Sequence, residues 1–286
     1  MNLDALAERL PGGLAQGLLL AVWLATLVVL VLLPPQITSG VRENHLAMLG
    51  HVLPEAIWQV RAVYDVSLAL FVAGGALWWL RIRPVASSVV TVLALWMLGS
   101  WRAQGEMYSR HQLYVPFLTL LVLAGWTVLC RRELAEVDAS EEDGALYRAR
   151  VVPVWVPWSV LVLVGWGYTT SGLEKLAAGG VAWGDGVSLR VWLTALAPEH
   201  PLTHVFTASP ALAAIAQSLV LWGEVFAVVG LAWRPLRPWF GLVLLGFHAS
   251  LEWTLGLRFL GNEVVLLLLA VVWPVWSHLR SRTSAS

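Results

Sequence analysis

The sequence predicts an all-α polytopic membrane protein, a bundle of about eight transmembrane helices. Three observations lead there. Charged residues make up 13% of the 286 positions, about half the share of an ordinary soluble domain. Hydrophobic residues make up 58%, with a mean hydropathy of +0.73. Eight spans of about 20 apolar residues need roughly 160 residues, which that share supplies with little left for a soluble part. The apolar residues also fall into long windows separated by charges, Pro and Gly. The chain therefore reads as one membrane domain over residues 1–286.

In order, the windows place helices at about 14–33, 56–80, 85–100, 112–130, 151–172, 210–231, 238–257 and 260–277. The first is long enough to span and lacks a small-residue cleavage site, so no cleavable signal peptide is expected. The third is short. Between the fourth and fifth, RRELAEVDASEEDGALYRAR mixes acids with arginines and reads as a solvated connector. The loops on the opposite side are longer and rich in Trp, Gly and His, and they include SGLEKLAAGGVAWGDG.

The basic residues set the orientation. The N-terminus, the loops near 81–84, 131–150 and 232–237, and the C-terminus carry eleven arginines, among them Arg81, Arg83, Arg234 and Arg237. The other side carries seven basic residues, Arg61 and Lys175 included. Both termini are predicted to be cytoplasmic. Lys175 is the one lysine beside 17 arginines, a skew typical of GC-rich bacterial genomes, so the expected location is a bacterial inner membrane. Zero net charge gives no reason to expect a nucleic-acid partner. Cys130 is the single cysteine, which excludes an internal disulfide or a C-x-x-C redox pair. The 18 tryptophans suit interfacial belts and packing.

Ionisable groups in apolar helices are costly, about 2.5–3.5 kcal/mol each on insertion scales, so each needs a reason. Lys175 follows an apolar run, with Tyr168 and Gly172 on the same helical face. It reads either as a snorkelling lysine or as an amine in a low-dielectric pocket, where desolvation favours the neutral, basic form. His248 lies near the middle of the seventh helix with Glu252 one turn on. It is either a histidine satisfied by a neighbouring helix or part of a proton-transfer pair. Arg61 and Asp65 stand four apart on the second helix, where opposite charges meet, and read mainly as a structural ion pair. Glu224 shares a face with Gln217 and points into the bundle. His111 begins the fourth helix after WRAQGEMYSR. His45, His51, His200 and His204 have no tight ligand spacing, and Pro201 interrupts the last two, so no metal site is expected. There is no Walker loop, G-x-S-x-G or H-E-x-x-H.

The stretch YTTSGLEKLAAGGVAWGDG resembles the HTTM family, the membrane domain shared with vitamin K-dependent gamma-carboxylase. Gly172, Lys175, Leu176, Trp183 and Gly186 follow that family's order of a helix end, a Gly-x-x-Lys-Leu turn and Trp-x-x-Gly. Glu224, then an arginine-containing turn, then FHASLEWTLGLRF with its central histidine resemble the family's later helices. Arg110–His111–Gln112 gives a further match. The resemblance covers about three-quarters of the chain; DoxX-like membrane proteins, which also carry a Gly-x-x-Lys turn, are the nearest rival family.

The resemblance implies that Lys175 acts as the base that starts oxygenation of a quinol, reduced vitamin K or menaquinol. It implies that His111 assists at the carbanion or carboxylation step, and that His248 with Glu252 forms a pocket wall or proton relay. Tyr168, Trp183, Glu224, Arg61 and Asp65 would line the substrate site. The pocket would open toward the extracytoplasmic side between helices two, four, five, six and seven, with a small peptide or protein as acceptor. Two departures stand out. Glu174 replaces a second lysine and is placed to tether the Lys175 ammonium. About nine residues follow the last predicted helix, so a large substrate-holding domain is not expected. The competing class is a non-catalytic accessory factor that binds a quinone, lipid or peptide. A transporter ranks lower, because no inverted repeat is visible.

Overall fold

A computed structural model describes residues 10–32, 57, 60–102, 109–129, 151–153, 155–256 and 259–275. Among these the chain is helical apart from a two-residue antiparallel pairing of β1 (Leu10–Pro11) with β2 (Val151–Val152). The described residues form two compact units. One gathers those up to Pro157 together with Leu260–Val265, and the other gathers Trp158–Phe259 and those from Leu266 on.

The first unit is built on α1 (Gly12–Leu32), α2 (Arg61–Trp79), α3 (Pro84–Arg102) and α4 (Ser109–Leu129). Hydrogen bonds fix α1 antiparallel to α2. Gln16 Nε2 donates to Trp79 O at 3.4 Å, Trp23 Nε1 to Phe71 O at 3.2 Å, and Tyr64 OH to Leu30 O at 3.1 Å. The Trp23 indole lies against Gly75, where a Cβ would collide with its ring. Trp78 Nε1 ties α2 to Thr127 Oγ1 of α4 at 3.2 Å, and Gly261 leaves room for the Pro116 ring.

The polarity of this unit is that of helices in an apolar medium. Leu24, Val28 and Val31 of α1 and Val66, Leu70 and Val72 of α2 are exposed, while Thr26, Ser67, Thr91, Thr119 and Thr127 are buried. Each of these five hydroxyls donates to the carbonyl four residues back, at 2.6–2.9 Å. These five are thus satisfied without water, as an apolar medium requires.

The α2–α3 turn is tight. Ile82 N donates to Leu77 O at 2.8 Å and Arg81 N to Trp78 O at 3.0 Å, the two bonds of a Schellman stop. Arg81 and Arg83 both take left-handed backbone, with φ of 63° and 48°. Pro84 then opens α3 with its fixed φ.

The second unit contains α5 (Trp155–Gly179, from Trp158 on), α6 (Val187–Leu196), α7 (Pro201–Ala208), α8 (Pro210–Val225), α9 (Ala227–Ala232) and α10 (Arg237–Leu255). It also holds a 3-10 segment, Gly180–Asp185, and the π-helical stretch Leu266–Val272. The helix α11, Leu260–Val265, belongs to the first unit.

Several of these elements differ from the sequence expectation. Helix α5 runs past 172 to Gly179, because LEKLAA is made of strong helix formers and only Gly179–Gly180 ends it. The window 210–231 divides at Phe226 into α8 and α9. The window 260–277 changes from α to π geometry at Leu266. Two helices, α6 and α7, were not among the expected windows. Ser209 precedes a proline and leaves the helical region, with φ −126° and ψ 85°, and α7 and α8 meet there at 109°.

Three helices among the described residues are long and apolar enough to cross a membrane: Leu14–Leu32, Arg61–Trp79 and Pro84–Trp101. The bent pair Pro201–Ala208 and Pro210–Val225 makes a fourth if it is one span. Leu113–Leu129, Val187–Leu196 and Leu260–Val275 are apolar and shorter.

Candidate functional site

The second unit positions its ionisable groups through close backbone contact between α5 and the α8–α9 junction. Gly165, Thr169 and Gly172 lie on one stripe of α5. A Cβ on Gly165 would sit 2.7 Å from Val228 Cα, and one on Gly172 would sit 2.7 Å from Val225 N. Between the two glycines, Thr169 Oγ1 accepts from Val228 N at 3.1 Å and lies 3.2 and 3.3 Å from the Val225 and Glu224 carbonyls. Its hydroxyl thus serves backbone groups freed where the helix breaks at Phe226.

Glu224 sits in the last turn of α8, buried at 5% exposure. Lys175 lies one turn beyond Gly172 on α5, and its Nζ bonds the Glu224 carboxylate directly. Ser171 Oγ lies 3.2 Å from the same Nζ, and the Trp183 ring centroid lies 5.1 Å away. The Lys175 side chain keeps a quarter of its surface open, whereas that of Glu224 keeps 6%. The carboxylate that holds the ammonium is therefore Glu224. Glu174 is exposed, since adjacent helical positions point about 100° apart.

Trp183 is placed by its backbone. Gln217 Nε2 donates to the Trp183 carbonyl, while Gln217 Oε1 accepts from Leu189 N at 2.9 Å. Ser218 Oγ donates to Gly184 O at 3.0 Å, and Asp185 Oδ1 accepts from Val187 N at 2.8 Å. Gly186 turns into α6 at φ +84°, where a Cβ would lie 2.9 Å from Ala213 Cβ. Gln217, read from the sequence only as an inward-facing residue, is thus the clamp that seats the Trp183 loop on α8.

Seven residues before Lys175, or about 10 Å along the helix axis, Tyr168 OH is hydrogen-bonded to His248 Nε2. The His248 ring is 3% exposed and packs on Phe247 and Phe259, with centroids 5.5 and 4.8 Å away. Its Nδ1 is buried with no hydrogen-bond partner. Tyr168 takes the place next to His248 that the sequence suggested for Glu252, which is half-buried one turn further along α10.

The structure thus brings Lys175, Glu224 and Trp183 into one cluster, and Tyr168 and His248 into a second on the same helix. Arg61 and Asp65 belong to the first unit. They meet as their spacing predicts, Arg61 Nε to Asp65 Oδ1 at 2.9 Å, with both side chains about half exposed. His111 falls in the first turn of α4, and its side chain lies outside the described residues. His200 is the N-cap of α7, its Nδ1 accepting from Leu202 N at 3.2 Å.

Sequence reasoning missed Arg237. Counted there among the loop charges, it is completely buried at the start of α10. Its guanidinium carbon lies 4.5 Å from the Trp158 ring centroid and 5.0 Å from that of Trp273, and Nε donates to Leu231 O at 3.0 Å. Two aromatic faces and a carbonyl replace the lost hydration. No local signal announces this, because Trp158 lies 79 positions away. No family model, curated protein or solved structure matches the chain.

Proposed function

We propose that this chain is a multi-pass bacterial inner-membrane protein of about eight spans, both termini cytoplasmic, whose Lys175–Glu224 pair performs acid–base chemistry on a quinol. The observation that carries the reading is the placement of Lys175 Nζ. It is bonded to a buried carboxylate, supported by Ser171, covered by Trp183, and a quarter open. A membrane position at this site favours apolar, ring-shaped ligands. The Trp183 ring offers a flat face and the amine a proton acceptor, which together fit a planar phenol.

Lys175 acts as a base only as a neutral amine. Transfer of its proton to Glu224 converts the ion pair into an amine and a carboxylic acid without changing the net charge of the site. Glu224 is thus a proton store, and Ser171 holds Nζ in place through the transfer. The quinol, reduced vitamin K or menaquinol, supplies the redox chemistry: with dioxygen it yields the quinone epoxide and water. By the HTTM resemblance, a small peptide or protein is the acceptor that follows.

The test incubates the purified protein in nanodiscs with reduced menaquinone or vitamin K and dioxygen, comparing wild type with Lys175→Arg and Lys175→Ala. Epoxide from wild type alone supports the reading. No epoxide from any quinol, with protein shown to be folded, sinks it.

A second reading is favoured by the same contact. Lys175 already donates to Glu224 and Ser171, as expected of a structural staple in a non-catalytic accessory factor. In that case the double variant Lys175→Met/Glu224→Leu keeps the biological function, whereas a quinol base cannot be replaced by methionine.

A further inference from the structure

We infer that the α2–α3 hairpin of the first unit is a binding site for an anionic phospholipid, its acyl chain in the groove between the helices and its headgroup on Arg83. The groove encloses about 220 Å³. Leu70, Ala73 and Leu77 of α2, Ile82 of the turn and Ala86 of α3 form its apolar walls, and Arg83 is the one charged residue that lines it.

Both helices that form the groove belong to the three long and apolar enough to cross a bilayer, and the site rests on their doing so. The turn that joins them then lies where hydrocarbon gives way to headgroups, so a guanidinium at the mouth meets phosphate while the walls meet methylenes. Basic pockets between transmembrane helices on the cytoplasmic side hold anionic headgroups in this manner. Arginine matches phosphate oxygens in a two-pronged geometry.

Charge complementarity selects the occupant. Arg81 and Arg83 stand within three residues of each other and no acid lines the groove. The first turn of α3 begins at Pro84, so the positive end of a 19-residue helix faces the same level. The backbone adds a further observation. Positive φ at Arg81 and Arg83 is a conformation in which glycine is the usual residue. Arginine at both positions puts charge where ease of turning would put glycine. A free phosphate ion would use Arg83 and leave the apolar walls idle. A zwitterionic lipid would fill the walls but present its own cation to the guanidinium.

Lipid retention by the purified full chain in detergent tests this, read by native mass spectrometry. The probes are phosphatidylglycerol, phosphatidylcholine with the same acyl chains, and inorganic phosphate. Wild type is expected to retain phosphatidylglycerol about fivefold over phosphatidylcholine, the weight of one arginine at an anionic surface. Arg83→Gln should abolish that preference, and Arg83→Lys should keep most of it. Arg190→Gln, with the same change of charge in the second unit, should leave it intact. Ala73→Leu, which fills the groove from an exposed position, should lower retention of both lipids. Equal retention of the two lipids by wild type would overturn the proposal, whatever the variants do. So would an unchanged preference in folded Arg83→Gln, or displacement of the lipid by millimolar phosphate.

Discussion

The hydroxyl of Thr169 receives the Val228 amide at 3.1 Å, so a side chain of one helix completes the backbone of another where that helix is broken. The break at Phe226 and the glycine stripe of α5 are two sides of one contact. Together they set Glu224 opposite Lys175.

Thr169→Val keeps the shape of this side chain and removes its hydrogen bonding. With the Val228 amide left without its acceptor, a loss of about 1–2 kcal/mol is expected, read as a lower midpoint in denaturant unfolding of the detergent-solubilised protein. Thr169→Ser should recover most of it. A Thr169→Val protein as stable as wild type would mean that the junction is held by packing alone.

Breaking the Lys175–Glu224 pair from one side should cost more than removing it whole. Glu224→Gln leaves an ammonium without its counter-charge, and Lys175→Met leaves a buried carboxylate, whereas Lys175→Met/Glu224→Leu leaves neither. Because Lys175 is partly open to solvent, the expected coupling in a double-mutant cycle is about 1–2 kcal/mol. Additive effects would show that the two side chains are neighbours without energetic consequence.

Two glycines near the site should respond in opposite directions. Gly172→Ala places a Cβ 2.7 Å from the Val225 nitrogen, which forces the helices apart at a cost of about 1–3 kcal/mol. Gly223→Ala meets nothing within 4 Å and lies inside α8, so it should be neutral or stabilise by about 0.5–1 kcal/mol. Thermal unfolding of both variants side by side checks the contrast, and equal midpoints would refute it.

Arg81→Gly should stabilise the protein by about 1 kcal/mol, because left-handed backbone costs an L-residue roughly 1–2 kcal/mol and glycine almost nothing, less the entropy that glycine adds to the unfolded chain. A Tm that falls on this substitution would mean that the arginine side chain contributes more than its backbone costs.

Much of the helical framework can be read directly from apolar periodicity. The window 85–100 becomes Pro84–Arg102, and 238–257 becomes Arg237–Leu255, because charges and prolines mark both ends. The contact of Arg61 with Asp65 was legible as well, since i,i+4 spacing is local. The cluster was legible only as separate residues. Lys175 and Glu224 are 49 positions apart, and Tyr168 and His248 are 80 apart. No spacing rule links residues whose meeting depends on which helices pack. The break at Phe226 is similarly silent: EVFAVV contains no Pro or Gly, and the threonine that bonds the backbone there lies on another helix. Arg237 shows the reverse error, a charge that looks like a loop residue until two distant tryptophans enclose it.

The buried hydroxyls of Thr26, Ser67, Thr91, Thr119 and Thr127 each bond within their own helix, and this bears on how the molecule is made. A hydroxyl bonded within its own helix is satisfied as soon as that helix forms. The groups that bond across, the Trp23 and Trp78 indoles and the Tyr64 hydroxyl among them, are satisfied only when the right neighbour arrives. The first kind lets each helix stand alone in its polar atoms at those positions, and the second kind selects which helix it meets.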